Sequence, residues 1–181
     1  IPAGDCPYGA DTSTNEPGKV ERVAAFRLHR YAVTNEMYEE FSPAHREKRW
    51  ISDSKHPQVA KKVKGGDAHC PVVNVSWYDA WCFAAWCGCH LPTELEWEHA
   101  CRAGMPTRWY FGNEEAELRK HAWYDEEWVK GSTHPVGELQ ANAYGLFDMH
   151  GNVWEWCSSR YEPGVSTRVL RGGSWNGYGR Y

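Results

Sequence analysis

Residues 75–104 read VSWYDAWCFAAWCGCHLPTELEWEHACRAG and carry the strongest helical signals in the chain. Ser76 followed by Asp79 has the form of a capping box, in which each residue satisfies a backbone N–H of the first helical turn. Trp77, Ala80, Trp81, Ala84 and Ala85 then recur at helical spacing until Gly88 interrupts them. The spacing predicts a helix over 77–87. After Pro92, Thr93 and Glu96 form a second box, and Leu95, Trp97 and Ala100 continue a helix that Gly104 closes.

Upstream, FRLHRYAVTNEMYEEF (26–41) changes period in its middle. Phe26, Leu28, Tyr31 and Val33 suggest extended chain, after which Thr34 caps a short helix carrying Met37, Tyr38 and Phe41. Residues 42–67 are polar and basic, with prolines at 43 and 57, and read as a long connection. From residue 105 onward no helical period survives. Short aromatic pieces alternate with Gly, Pro, Asn and Asp, as in RWYFGN, THPVGE and NAYGLFDMHGNVWEWC. Helices first and irregular, strand-containing chain afterwards make an α+β domain with little regular structure.

A length of 181 residues suits one domain with a sizeable core. Eleven tryptophans and ten tyrosines exceed what packing alone needs and point to aromatic clusters as the main cohesion. A net charge of −4 with scattered Lys and Arg gives no basic stripe, which argues against nucleic acid as a partner. No apolar run approaches the roughly 20 residues that span a bilayer, and IPAGDCPYGA at the start does not have the form of a signal peptide. The chain reads as soluble. Seven cysteines, an odd number in a chain of this size, favour reduced thiols and a cytoplasmic location.

Four constellations in the sequence bear on chemistry. The nine histidines include no pair at metal-binding helical or zinc-finger spacing, and individually read as surface or hydrogen-bonded core residues. Cys82, Cys87 and Cys89 are close enough to hold a soft metal or form a redox pair, but the helical setting favours core packing. Ser174, in GGSW, has no nucleophile elbow around it. In GLFDMHGNVWEW (145–156), Asp148 and Glu155 flank Gly151 and Asn152, so a turn can gather two carboxylates and backbone carbonyls about a hard cation. The alternative is that Asp148 starts a turn and Glu155 pairs with Arg171 or a backbone amide.

Taken together, IPAG (1–4), YAVTNEMYEEF (31–41), PVVNVSWYDAWCF (71–83), LPTELEWEHACRAG (91–104), YGLFDMHGNVWEWC (144–157) and RVLRGGSW (168–175) resemble the formylglycine-generating enzyme, or sulfatase-modifying factor, family. The blocks occur in family order across nearly the whole chain. The resemblance implies a loop-rich, C-type-lectin-like fold over residues 1–181 as one domain, without the closing strands that the family carries beyond its last arginine. It also implies structural calcium, held by Asp148 and Glu155 through side chains and by Gly151 and Val153 through carbonyls. At the family's second calcium site Trp123 stands where the resemblance would place an Asn.

Authentic members of the family oxidise the cysteine of a Cys-x-Pro-x-Arg segment with copper held in a G-G-S-aromatic-x-C-x-x-x-x-C pattern. Here Gly172, Gly173, Ser174, Trp175 and Asn176 lead to Gly177 where the first cysteine is expected, and the second would follow Tyr181. No residue is therefore assigned a catalytic role. One branch of the family, the sulfoxide synthases, performs other oxidative chemistry with histidines from an added bundle. Another branch, the variable proteins of diversity-generating retroelements, displays a ligand-binding surface after a GGSW-like stretch. The expectation is a binding or accessory domain for a protein or peptide ligand, its surface formed by Trp175, Asn176, Gly177, Tyr178, Arg180 and Tyr181. Copper-dependent oxidation is the alternative, and another oxidative activity the third reading.

Overall fold

The computed structural model describes residues 1–9, 19–49, 67–125 and 132–177. Three helices carry the regular structure: α1 (Asn35–Phe41), α2 (Trp77–Trp86) and α3 (Glu94–Arg102). Their starts are where the sequence places them. Thr34 accepts from the Met37 amide, and both boxes, Ser76 with Asp79 and Thr93 with Glu96, close in both directions. Each such cap contributes about 1 kcal/mol. Helix α3 ends on Ala103 in left-handed conformation, one residue before Gly104.

Strand pairing is sparse. β1 (Gly4–Tyr8) pairs antiparallel with β2 (Lys19–Val23), β3 (Ala122–Trp123) pairs parallel with β4 (His150–Gly151), and β5 (Glu155–Arg160) pairs antiparallel with β6 (Arg168–Arg171). The described sheets therefore have two strands each. Two-stranded pieces are marginal alone, so α3 supplies what they lack by packing on β1, β2, β5 and β6.

The core forms where those elements meet. Trp97, Ala100 and Cys101 of α3 pack with Tyr110, Leu146, Met149, Cys157 and Val169, and Ile1, Phe26 and Leu28 lean on them. Burying one such large side chain contributes about 1.5–3 kcal/mol. Side chains stitch the irregular parts to this centre. The Asn142 amide donates to the Ala100 and Cys101 carbonyls and accepts from the Tyr144 and Leu146 amides, satisfying backbone groups that the end of α3 leaves open. Three indole N–H groups do similar work: Trp77 to the Cys157 carbonyl, Trp156 to the Val75 carbonyl and Trp97 to Glu155.

Helix α2 departs from expectation. Its buried residues are Phe83 and Ala84, while Trp81, Cys82, Ala85, Trp86, Cys87 and Cys89 are exposed. Core packing of the three cysteines is thus overturned. The helix touches the body of the protein through α1, where Phe83 joins Tyr38 and Phe41 in an aromatic cluster, and through Trp77, whose ring reaches Cys157 and Arg168 on β5 and β6; its exposed side carries Trp81, Trp86 and the cysteines. Apolar residues surround this helix on every side, so its sequence period does not mark the face that is buried.

Candidate functional site

The segment 145–155 turns sharply because Gly145, Asp148, Gly151 and Asn152 all adopt positive φ. Asp148 is buried, and its carboxylate accepts from the Gly137 amide at 2.8 Å. Burial raises its pKa, while hydrogen bonds from Gly137 and Asn152 pull it down. The Glu155 carboxylate lies inside, accepting from the Trp97 indole at 3.0 Å. Its pKa is pushed up to about 7, chiefly by burial, with the Trp97 hydrogen bond opposing and the charge of Asp148 adding to the rise. Two enclosed carboxylates that repel one another are costly without a cation.

Arg171 does not supply that cation. Although it stands opposite Glu155 in the β5–β6 register, its guanidinium binds Glu98 at 2.6 Å and lies 3.8 Å from Glu94. This corrects the pairing of Glu155 with Arg171. Nor is the partner of Glu155 a backbone amide: it accepts from the Trp97 indole, and it is Asp148 that accepts from a backbone amide, that of Gly137. A Cβ at Gly172 would stand 3.5 Å from the Val153 carbonyl oxygen, so the glycine keeps space open beside a second kind of oxygen donor. Among the described residues no three His, Cys, Asp or Glu side chains converge. An ion here relies on carbonyls as well as carboxylates, a donor set suited to a hard cation.

Asn152 holds this turn to its surroundings. Fully buried, it accepts from the His134 amide and donates to the His134 carbonyl, both at 3.1 Å, while its backbone bonds Trp123 and Trp175. Trp123 in turn stacks on the His134 ring at 3.7 Å. Gly151 is pressed against β3, where an added Cβ would meet the Trp123 carbonyl oxygen at 2.1 Å.

Beside it lies a small hollow with space of about 30 Å³. One water needs about 10–15 Å³, so the hollow takes about two or three. Trp109, Leu118, Ala122 and Tyr124 form one wall. His150, Gly151, Gly172, Gly173, Ser174 and Gly177 form the other. Of the residues expected to form a ligand surface, Asn176 and Gly177 are half-buried at its rim, and Tyr178, Arg180 and Tyr181 lie outside the described residues. Trp175 is only 3% exposed. Its expected place on the surface is therefore corrected: the side chain is buried.

The chemistry of the hollow is restrained. Gly177 donates to the Ser174 carbonyl and accepts from the Asp125 amide, and Ser174 donates to the Asn176 side chain at 2.8 Å. A Cβ on Gly177 would lie 3.2 Å from the Ser174 carbonyl oxygen, so a side chain there needs a shift of its neighbour. His150 stacks on Tyr110 at 4.9 Å, and its pKa is lowered to about 3, mainly by burial and then by neighbouring positive groups. Behind it the Cys101 thiol sits 3.9 Å from the His150 ring, pushed up to about 12 by burial. What surrounds the hollow among the described residues is thus a neutral imidazole, an un-ionised buried thiol behind it and glycine backbone.

Sequence comparison agrees with this architecture: the profile of the "Sulfatase-modifying factor enzyme 1-like domain" matches residues 1–180. The chain belongs to that family. This sulfatase-modifying factor domain is 44% identical over 115 residues to the "Inactive C-alpha-formylglycine-generating enzyme 2" of Mus musculus, covering 58% of the chain and 37% of the relative. It is 37% identical over 147 residues to the formylglycine-generating enzyme of Streptomyces coelicolor, covering 67% of the chain and 47% of that enzyme. The domain thus spans less than half the length of these relatives. Among solved structures, Treponema denticola variable protein 1 superposes with a TM-score of 0.74 at 26% identity, covering 98% of this chain and 83% of that one. The α+β, loop-rich fold expected from the sequence is the fold observed.

Sequence reasoning named Gly151 and Asn152 in this turn, Gly151 for its carbonyl, but missed the clasp that Asn152 makes and the distant residues that hold the site. Asn152 and Gly151 sit side by side within the quoted turn, and their joint left-handed conformation is legible as a Gly-Asn signal. Trp97, Gly137 and His134 come from distant chain segments, and no local pattern announces them.

Proposed function

We propose that this domain works by binding a protein or peptide ligand, as an accessory or recognition module on the sulfatase-modifying factor scaffold. The observation that carries the reading is Gly177, which stands where a thiolate would hold copper and is packed closely against Ser174. The resemblance to a relative named inactive, and to a variable protein, supports the same direction. A hollow with space of about 30 Å³ is far smaller than the roughly 300 Å³ at which small-molecule pockets begin, which favours recognition at a rim. Asn176 and Gly177 are the described residues assigned to ligand contact, and Tyr178, Arg180 and Tyr181 are assigned to it from the sequence.

In this reading residues 1–181 act as one domain. Calcium serves it structurally: Asp148 and Glu155 supply carboxylates, Gly151 and Val153 supply carbonyls, and the ion offsets the burial, and with it the Asp148 charge, that raise the pKa of Glu155. All seven cysteines are free, which suits a reducing cytoplasm. No helix among the described residues is long and apolar enough to cross a membrane.

The test is direct. Protein loaded with copper is incubated with a Cys-x-Pro-x-Arg peptide, and the peptide mass is followed. The peptide is expected to emerge unchanged, and its conversion to the aldehyde overturns the reading. In parallel, a displayed peptide library is selected against the protein and against Gly177→Arg. Selected peptides that bind both equally well remove the rim from the proposal.

A further inference from the structure

The seven thiols divide into two populations. Cys6, Cys70, Cys101 and Cys157 are buried with pKa values raised above the usual thiol range, mainly by burial, and are chemically quiet. Cys82, Cys87 and Cys89 are exposed. Two of these three share the end of helix α2. Gly88, at φ +71°, turns the chain in a Schellman motif: its amide donates to the Ala85 carbonyl, and the Cys89 amide to the Ala84 carbonyl.

That turn fixes how near the two thiols are. A left-handed residue mirrors the helical step, so the Cα atoms of Cys87 and Cys89 are about 5.4 Å apart by helix geometry. Disulfides form most often at about 5.5–6 Å. Cys82 is five residues earlier on the helix, about 8.7 Å from Cys87 by the same geometry, beyond the roughly 7 Å reach of a bridge. The Cys89 thiol folds back to within 3.6 Å of the Cys87 carbonyl oxygen. Burial raises the Cys87 pKa, and the neighbouring Cys89 adds to the rise, so the two sulfurs sense one another. Nothing lies within 4 Å of where a side chain on Gly88 would start, which leaves room for the turn to adjust.

We propose that Cys87 and Cys89 are a solvent-facing dithiol that exchanges with small disulfides of the glutathione class and closes a Cys87–Cys89 bridge. One protein thiolate attacks a sulfur of the small disulfide, releases the first small thiolate and forms a mixed disulfide. The second protein thiol gives its proton to solvent and attacks the protein-bound sulfur. The second small thiolate then leaves, and solvent protons convert both to thiols. Two protein thiols are oxidised by two electrons and one small disulfide is reduced to two thiols. An exposed bridge across a single glycine is readily reduced again.

The whole protein is equilibrated in mixtures of reduced and oxidised glutathione, quenched with acid, alkylated and digested with chymotrypsin. The fragment 87–95 is expected to lose both alkyl groups as the mixture becomes oxidising, leaving a mass two hydrogens below that of the free dithiol, while Cys82 stays alkylated. In Cys89→Ser, Cys87 is expected to stop at a persistent glutathione adduct that the wild type resolves. Both positions are exposed, so the variant keeps the fold. The proposal is overturned if Cys87 and Cys89 remain alkylated at every ratio, carry two separate adducts, or bridge to Cys82 or to a second chain. It is overturned equally if the adduct in Cys89→Ser is no more abundant than in the wild type.

Discussion

Replacing Gly151 with alanine isolates how far the site depends on one close approach of two backbones. The new Cβ would lie 2.1 Å from the Trp123 carbonyl oxygen and 3.0 Å from the Trp123 nitrogen, at a φ of +79°. Gly164 is the control, with φ +85° and nothing within 4 Å of its hypothetical Cβ. Left-handed conformation costs alanine about 1–2 kcal/mol, and a stiffer unfolded chain returns about 0.4–1 kcal/mol, so Gly164→Ala is expected to lose about 1 kcal/mol. Gly151→Ala adds the overpacking, which for an obstructing backbone falls near the top of the usual range of about 1–3 kcal/mol. The sum is about 4 kcal/mol, equivalent to roughly 10 °C in Tm for a chain of this size. Urea unfolding followed by tryptophan fluorescence measures both variants, with an unchanged m-value confirming comparable transitions. If Gly151→Ala loses no more than Gly164→Ala, the contact between β3 and β4 is not the constraint described.

Two further outcomes are expected. Calcium should raise the Tm of the wild type and chelator should lower it, whereas Asp148→Ala and Glu155→Ala should melt identically in both, and a wild type indifferent to calcium refutes the ligand assignment. The folded pKa of His150, about 3, lies below the ordinary value of 6.5, so the unfolded chain binds more protons between those limits and stability falls as pH drops through that window. Because the ring borders the hollow, the loss between pH 6.5 and pH 5 is about 1 kcal/mol rather than the full value. His150→Phe, which keeps a ring against Tyr110, should flatten that part of the pH–stability curve measured by denaturant titration, and an unaltered curve excludes His150 as its source.

What the sequence made legible was local. The boxes at Ser76 and Thr93 place two helices to within a residue, because each motif satisfies its own amides within four positions. Asp148, Gly151, Val153 and Glu155 fall on one tight turn, and their shared neighbourhood follows from its short length. What escaped was decided by tertiary partners. Trp175 looks like a contact residue beside Gly177, but its side chain is buried and its amide bonds Asn152. Cys82, Cys87 and Cys89 look like core residues because α2 is apolar all round, but the helix is seated through Phe83 on α1 and through Trp77 on β5, which leaves the cysteines outside. Likewise Glu155 faces Trp97 rather than Arg171, since Glu98 already holds that guanidinium.

Asn142 has one further consequence. A single carboxamide joins the end of α3 to the loop that begins the Asp148 turn, spending all its hydrogen-bonding capacity on four backbone groups. Neither aspartate nor leucine reproduces two donors and a doubly accepting oxygen in that volume. Architecture held by such clasps, with ladders of only two strands, keeps its geometry in a few irreplaceable interior amides.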